Sequence, residues 1–221
     1  MSDSLPALRS YESVSRVYDL AARLWTGGAI GAASCAVSRR VRAGQRVLIA
    51  GVGGGRDAAA LVRAGARLTL VDLSPSMLAR AERRVAAVAP GAQVQAYCAD
   101  ALSLDLGSFD VVCAHYFLNL FGPRGAEQAF ARLASCVAPG GMLSVADFTP
   151  VRRGHPLQAL HYETPMRVFA ALGLCARHPT YDYEQMAPAG WRLEATEGAR
   201  VFGVGPRWHS SWFFRAPDTP G

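Results

Sequence analysis

Val47-Leu48-Ile49-Ala50-Gly51-Val52-Gly53-Gly54-Gly55-Arg56-Asp57 is an apolar run that breaks into glycines at 51, 53, 54 and 55 and then continues into an Ala-rich amphipathic stretch. Aliphatic residues at that density favour a buried strand. The glycines permit positive φ and let a ligand lie against the backbone. A helix starting after Gly55 would turn free N–H groups and the positive end of its dipole toward the same spot. The stretch reads as strand, glycine turn and helix, with a seat for something flat or anionic.

Outward from this stretch the same alternation repeats. Short β-branched runs at 46–50, 67–71, 93–97, 109–114 and 141–147 predict strands, and longer amphipathic runs at 56–64, 75–88 and 125–137 predict helices, with only a turn near 101–106. Repeated βα units imply an α/β fold with a parallel sheet. The stops agree: Gly65 and Pro90-Gly91 end two helices, Ser74-Pro75 starts one, and Pro139-Gly140-Gly141 turns the third into a strand. Before this core, residues 1–43 carry apolar residues at helical spacing. After it, Pro150, Pro156, Pro165, Pro179 and Pro188 predict short helices and loops over 149–190, and 191–214 reads as an antiparallel hairpin around Gly203, Gly205 and Pro206.

The chain has 221 residues, 51% hydrophobic and 18% charged, which suits one globular domain and excludes a disordered chain; no run reaches the roughly 20 apolar residues of a bilayer span. All 23 basic residues are Arg, against 17 acids, a net charge of +6. Such a balance suits phosphate groups or an anionic surface. Its arginines are dispersed, with no run longer than a pair, so nucleic acid is not the expected partner. Five cysteines with no C-x-x-C pair indicate reduced thiols and no zinc site, and Met1 to Ser10 lacks the basic and apolar pattern of a secretory signal. A cytoplasmic protein is expected.

Two acids give the glycine turn a partner. Asp72 ends the run Leu68 to Val71, about 20 residues beyond the glycines, where a carboxylate can accept both hydroxyls of a ribose. Asp100 ends the third apolar run. Ligands of open α/β sheets bind at those carboxyl ends. A dinucleotide fingerprint from Gly51 would require glycine at 56, where the chain has Arg56. An NAD-dependent oxidoreductase is therefore the weaker reading. A cofactor-binding regulator would share the site but lack an acceptor pocket.

The G-x-G-x-G spacing at Gly51, Gly53 and Gly55, the acids Asp72 and Asp100, Phe109-Asp110-Val111-Val112 and the segment Leu133 to Val145 together resemble the class I S-adenosylmethionine-dependent methyltransferases. The resemblance implies a Rossmann-like three-layer sandwich whose seven-stranded sheet runs 3-2-1-4-5-7-6 with strand 7 antiparallel. It implies one methyltransferase domain, divided into a helical lid (1–43), a cofactor core (44–148), a substrate-side insertion (149–190) and a terminal hairpin (191–214). The implied cofactor is S-adenosyl-L-methionine, leaving as S-adenosyl-L-homocysteine, with no metal. By the same resemblance Gly51, Gly53 and Gly55 line its methionine and ribose portion, Asp72 with Leu73 the ribose, Asp100 and Ala101 the adenine, and His115 and Tyr116 the sulfonium. Many members carry an acid two residues before the first glycine. Here Ile49 stands there, so that contact falls to Arg56, Asp57 or a residue of the N-terminal segment.

Arg16-Val17-Tyr18-Asp19-Leu20 is similar to the N-terminal Tyr-Asp segment of the ubiquinone and menaquinone methyltransferase branch, which makes Tyr18 a candidate lid and catalytic residue. After the fourth strand, Tyr116 and Asn119 are candidate acceptor contacts, with aromatic faces that favour a sulfonium. In the insertion, His161 is the candidate base and Tyr162 a further acceptor contact, since methyl transfer requires an aligned acceptor and, where needed, loss of a proton. The implied acceptor is a small amphipathic or aromatic molecule, such as a quinone precursor or lipid head group, with peripheral membrane contact in keeping with it. A polar metabolite methylated on N or O is the alternative.

Overall fold

The computed structural model describes residues 23–148, 156–171, 180–203 and 207–217. Strands β1 (Arg46–Ala50), β2 (Arg67–Asp72), β3 (Val94–Cys98), β4 (Phe109–His115), β5 (Val137–Asp147), β6 (Trp191–Arg200) and β7 (Arg207–Arg215) form one sheet. Its order is β3-β2-β1-β4-β5-β7-β6, with the first five strands parallel and β7 antiparallel to both β5 and β6. The helices are α1 (Ala29–Cys35), α2 (Arg56–Arg63), α3 (Pro75–Val88), α4 (Pro123–Ser135) and α5 (Pro156–Ala171).

Alternation along β1 shows how the layers arise. Val47 and Ile49 point to the face covered by α2 and α3, where they meet Leu61, Val62, Leu78 and Val85. Leu48 and Ala50 point to the other face, against Phe130 and Leu133 of α4 and Tyr181 and Tyr183 of the insertion. Burial of β1 on both faces explains its unbroken apolar run. A third cluster at the sheet's end joins Ala29 and Ala33 of α1 to Phe148, Tyr162 and Trp208.

Three boundaries differ from the sequence reading. β5 begins at Val137 rather than 141, because Val137 already pairs with Phe109; the ladder then bulges over Pro139-Gly140 and resumes at Val111 with Met142. α4 begins at Pro123, whose fixed φ suits a first helical position. Pro165 does not break the insertion into short pieces but lies inside the 16-residue helix α5. A proline there deprives the carbonyl of His161 of its usual donor. The indole Nε1 of Trp25 donates to that carbonyl at 3.3 Å and takes the missing place.

Candidate functional site

The carboxyl ends of β1, β2 and β4, with the loop after β3, open on a cavity of about 200 Å3. The glycine turn forms its floor. Gly53 has φ +49, and a Cβ there would meet nothing within 4 Å, so its bare backbone faces open space in the cavity. Gly55 has φ +68 and packs on α3: a Cβ would stand 2.6 Å from the Cα of Ala81. One glycine thus leaves room for a ligand, and the other brings α2 against α3 so that its N-terminus points into the site.

Asp72 is tied to this floor. Its Oδ2 accepts from the Gly53 N–H at 3.0 Å and its Oδ1 from Ser74 N–H at 2.9 Å. Burial raises its pKa, and the backbone donors of Ser74, Gly53 and Leu73 work against that rise. The carboxylate lines the cavity with acceptor capacity left over. Leu73, Asp100 and Ala101 line the same cavity, with Asp100 Oδ1 accepting from Leu102 N–H at 2.9 Å. The fit to an adenosine is that of a backbone cradle, an acid beside it and a half-buried acid and apolar side chain beyond.

His115 lines the opposite end, but its ring is fully engaged. Nδ1 lies 2.8 Å from Asp57 Oδ2 and Nε2 lies 3.0 Å from Ser144 Oγ, all three side chains being buried. The role of Asp57 was open in the sequence, and Ser144 gave no signal, because its contact with His115 crosses from β5 to β4. Next along the chain, Tyr116 lines the cavity with a left-handed φ of 53, and its hydroxyl donates to Ile30 O at 3.4 Å. A tyrosine in that conformation is strained, and the β4 hydrogen bond from its N–H to Ala146 O at 2.7 Å holds it there.

Asn119, Tyr162 and His161 lie away from the cavity. Asn119 turns from it: its Nδ2 donates to Asp147 Oδ1 at 2.7 Å, because that fully buried carboxylate at the end of β5 requires donors. Phe148 N–H and Tyr183 Oη also donate to Asp147, at 2.8 and 2.7 Å. Burial pushes the Asp147 carboxyl up to about 6 against those hydrogen bonds. Tyr162 is buried among Phe148, Trp208 and His161 rather than facing an acceptor space. His161 stacks on Trp25 with ring centroids 5.3 Å apart and planes 7° from parallel, and partial burial lowers its pKa. Tyr18 falls outside the described residues. Among the described residues no group of His, Cys, Asp and Glu is arranged for a metal ion, and no helix is long and apolar enough to cross a membrane.

Comparison with known proteins agrees with this geometry. Residues 47–141 match the family model described as a methyltransferase domain. The chain is 34% identical over 157 residues to demethylmenaquinone methyltransferase of Clavibacter sepedonicus, covering 66% of this chain and 62% of that protein. It is 34% identical over 110 residues to an uncharacterized protein of Mycobacterium tuberculosis, covering 50% of this chain but only 39% of the relative's length. The magnesium protoporphyrin IX methyltransferase of Synechocystis PCC 6803, solved with bound S-adenosylhomocysteine, superposes with a TM-score of 0.65 at 20% identity, covering 88% of this chain and 85% of that one, a likeness of fold. The chain thus carries a stretch similar to a methyltransferase domain, over residues 47–141, and resembles a demethylmenaquinone methyltransferase over about two thirds of its own length.

Proposed function

We propose that the protein transfers a methyl group from S-adenosylmethionine to a small aromatic or amphipathic acceptor. The observation that carries this reading is the continuity of the cavity, from Asp100 and Ala101 past Asp72 and the glycine turn to His115 and Tyr116. The cofactor, when bound, supplies an electrophilic methyl on a sulfonium. The chain's own contribution is placement. Asp72 and the Gly53 backbone hold the ribose, Tyr116 closes the far end, and aligning the acceptor converts an encounter between two molecules into a local displacement.

An aromatic acceptor is supported by what stands behind Tyr116. Its ring lies 5.6 Å from Trp208 and 6.3 Å from Phe148, and Trp25 and His161 extend that cluster outward. Leu24, Trp25, Leu160 and Phe202 are exposed, so an apolar approach leads to the same side. Resemblance to a demethylmenaquinone methyltransferase supports the same choice. His161 is the proposed proton acceptor: burial lowers its pKa, and its Nε2, buried outside the cavity with no hydrogen-bond partner among the described residues, would have to be uncovered from the Trp25 stack to reach an acceptor. Tyr18 is its proposed companion from the N-terminal segment.

A methyl-release assay across quinone precursors, phospholipids and small amines tests the proposal. Turnover is expected with an aromatic or amphipathic acceptor, and His161→Ala should lower kcat by about 100-fold at unchanged cofactor affinity. Turnover confined to small polar amines would overturn the acceptor class, and undiminished kcat in His161→Ala would remove that residue from the chemistry.

A further inference from the structure

The amino-acid end of S-adenosylmethionine carries an ammonium and a carboxylate, and both require partners inside a partly closed site. Three described aspartates line the cavity: Asp57, Asp72 and Asp100. Asp72 ends β2 and Asp100 follows β3, both on the nucleoside side, and each already accepts backbone N–H groups there. Asp57 stands on the other side of the glycine turn, in the first turn of α2, facing β4. Within β1 itself the nearby side chain is Ile49, fully buried and apolar.

The bonds of Asp57 leave acceptor positions free. Its Oδ1 accepts from Ala58 N–H at 2.8 Å and its Oδ2 from His115 Nδ1 at 2.8 Å, which uses two of roughly four acceptor positions. A neutral imidazole protonated at Nδ1 satisfies both of its neighbours, donating to Asp57 and accepting from the Ser144 hydroxyl at Nε2. In that tautomer His115 orients the carboxylate without cancelling it. Among the described residues no arginine forms an ion pair with Asp57. Its neighbour Arg56 lines the same cavity, its guanidinium 3.2 Å from where a Cβ on Gly31 would stand, and offers the opposite charge to a carboxylate.

Resting on the reading above, we propose that Asp57 receives the ammonium group of the cofactor and that His115, braced by Ser144, is the residue that positions it. The recognition of the amino end is thereby moved from the strand, where Ile49 stands, to the first turn of the following helix.

Calorimetric titration with S-adenosylhomocysteine, its desamino form and 5′-methylthioadenosine tests this. The parent should bind the desamino form at least about tenfold more weakly than S-adenosylhomocysteine, the scale of one charge-assisted hydrogen bond. Asp57→Asn should lose about tenfold or more for S-adenosylhomocysteine, keep methylthioadenosine within about twofold, and no longer distinguish the desamino form. His115→Gln should show the same selectivity with a smaller loss, whereas a merely structural role would weaken all three ligands together. Equal affinity of the parent for the amino and desamino forms would overturn the proposal, and that comparison needs no folded variant. An equal loss for every ligand in Asp57→Asn would overturn it as well. A parent that binds neither S-adenosylhomocysteine nor methylthioadenosine refutes the cofactor reading itself, a result distinct from either.

Discussion

Asp72 ties two elements together, since one carboxylate holds the N–H of Gly53 in the turn and that of Ser74 at the start of α3. Asp72→Ala should therefore weaken both S-adenosylhomocysteine and methylthioadenosine by about 10- to 100-fold, a loss on the ribose side that calorimetry separates from the amino-end loss expected at Asp57. The glycines divide in a similar way. Gly53→Ala places a methyl in open cavity and should cost about 1 kcal/mol of stability through its positive φ, while blocking the ligand. Gly55→Ala adds a clash with the Ala81 backbone and should cost more, about 2–4 kcal/mol, read by denaturant unfolding. Equal stability of the two variants would contradict that division. The spacing of the glycines was legible in the sequence because each lies in one turn. The difference between them was not, since the neighbour of Gly55 is 26 positions away on α3.

α5 depends on a partner outside itself. Pro165 leaves the His161 carbonyl without an N–H from its own helix, and Trp25 donates to it while stacking on the His161 ring. Pro165→Ala supplies the missing N–H and should strengthen α5 while releasing the indole, so amide exchange over residues 23–31 should accelerate as that over 161–171 slows. Unchanged exchange at 23–31 would show that the indole bond does not hold the segment. Five prolines between 150 and 188 read as breaks because proline penalises an isolated helix, and the compensating indole lies 136 residues away from His161. The strands were read more accurately. β1 is buried on both faces and its apolar run reflects that directly, whereas the start of β5 was missed because its first pair, Val137 with Phe109, precedes a bulge.

The whole molecule assembles its site where the parallel strands end, and two tyrosines of the insertion fasten it to that edge. Tyr181 Oη donates to Phe121 O at 2.7 Å, and Tyr183 Oη donates to Asp147. Asp147 has a folded pKa near 6, raised by burial from an ordinary 3.8, so the folded chain holds this proton more tightly than the unfolded one. Its contribution to stability is fully present below about pH 4 and is lost as pH rises to about 6, an effect on the order of 3 kcal/mol. Asp147→Asn should remove that fall, so the parent and variant curves should converge or cross between pH 4 and 6.5 and run parallel above. Curves parallel throughout would contradict the buried, protonated carboxyl. The layered fold was readable from the βα alternation, and so was the gathering of residues between Gly51 and Ala101 around one cavity, because both are set within short stretches of chain. The Asp147 cluster and the Asp57, His115 and Ser144 array were not, since they join residues brought together only by the strand order.

The glycine turn, Asp72 and Asp100 meet in one cavity, which is proposed to take an adenosine that carries an amino acid. Isothermal titration of the folded protein with S-adenosylhomocysteine, beside NAD as a nucleotide of the competing class, addresses it most directly. Saturable binding of one S-adenosylhomocysteine per chain, with no heat from NAD, is the predicted result; binding of NAD alone, or of neither by demonstrably folded protein, would contradict it.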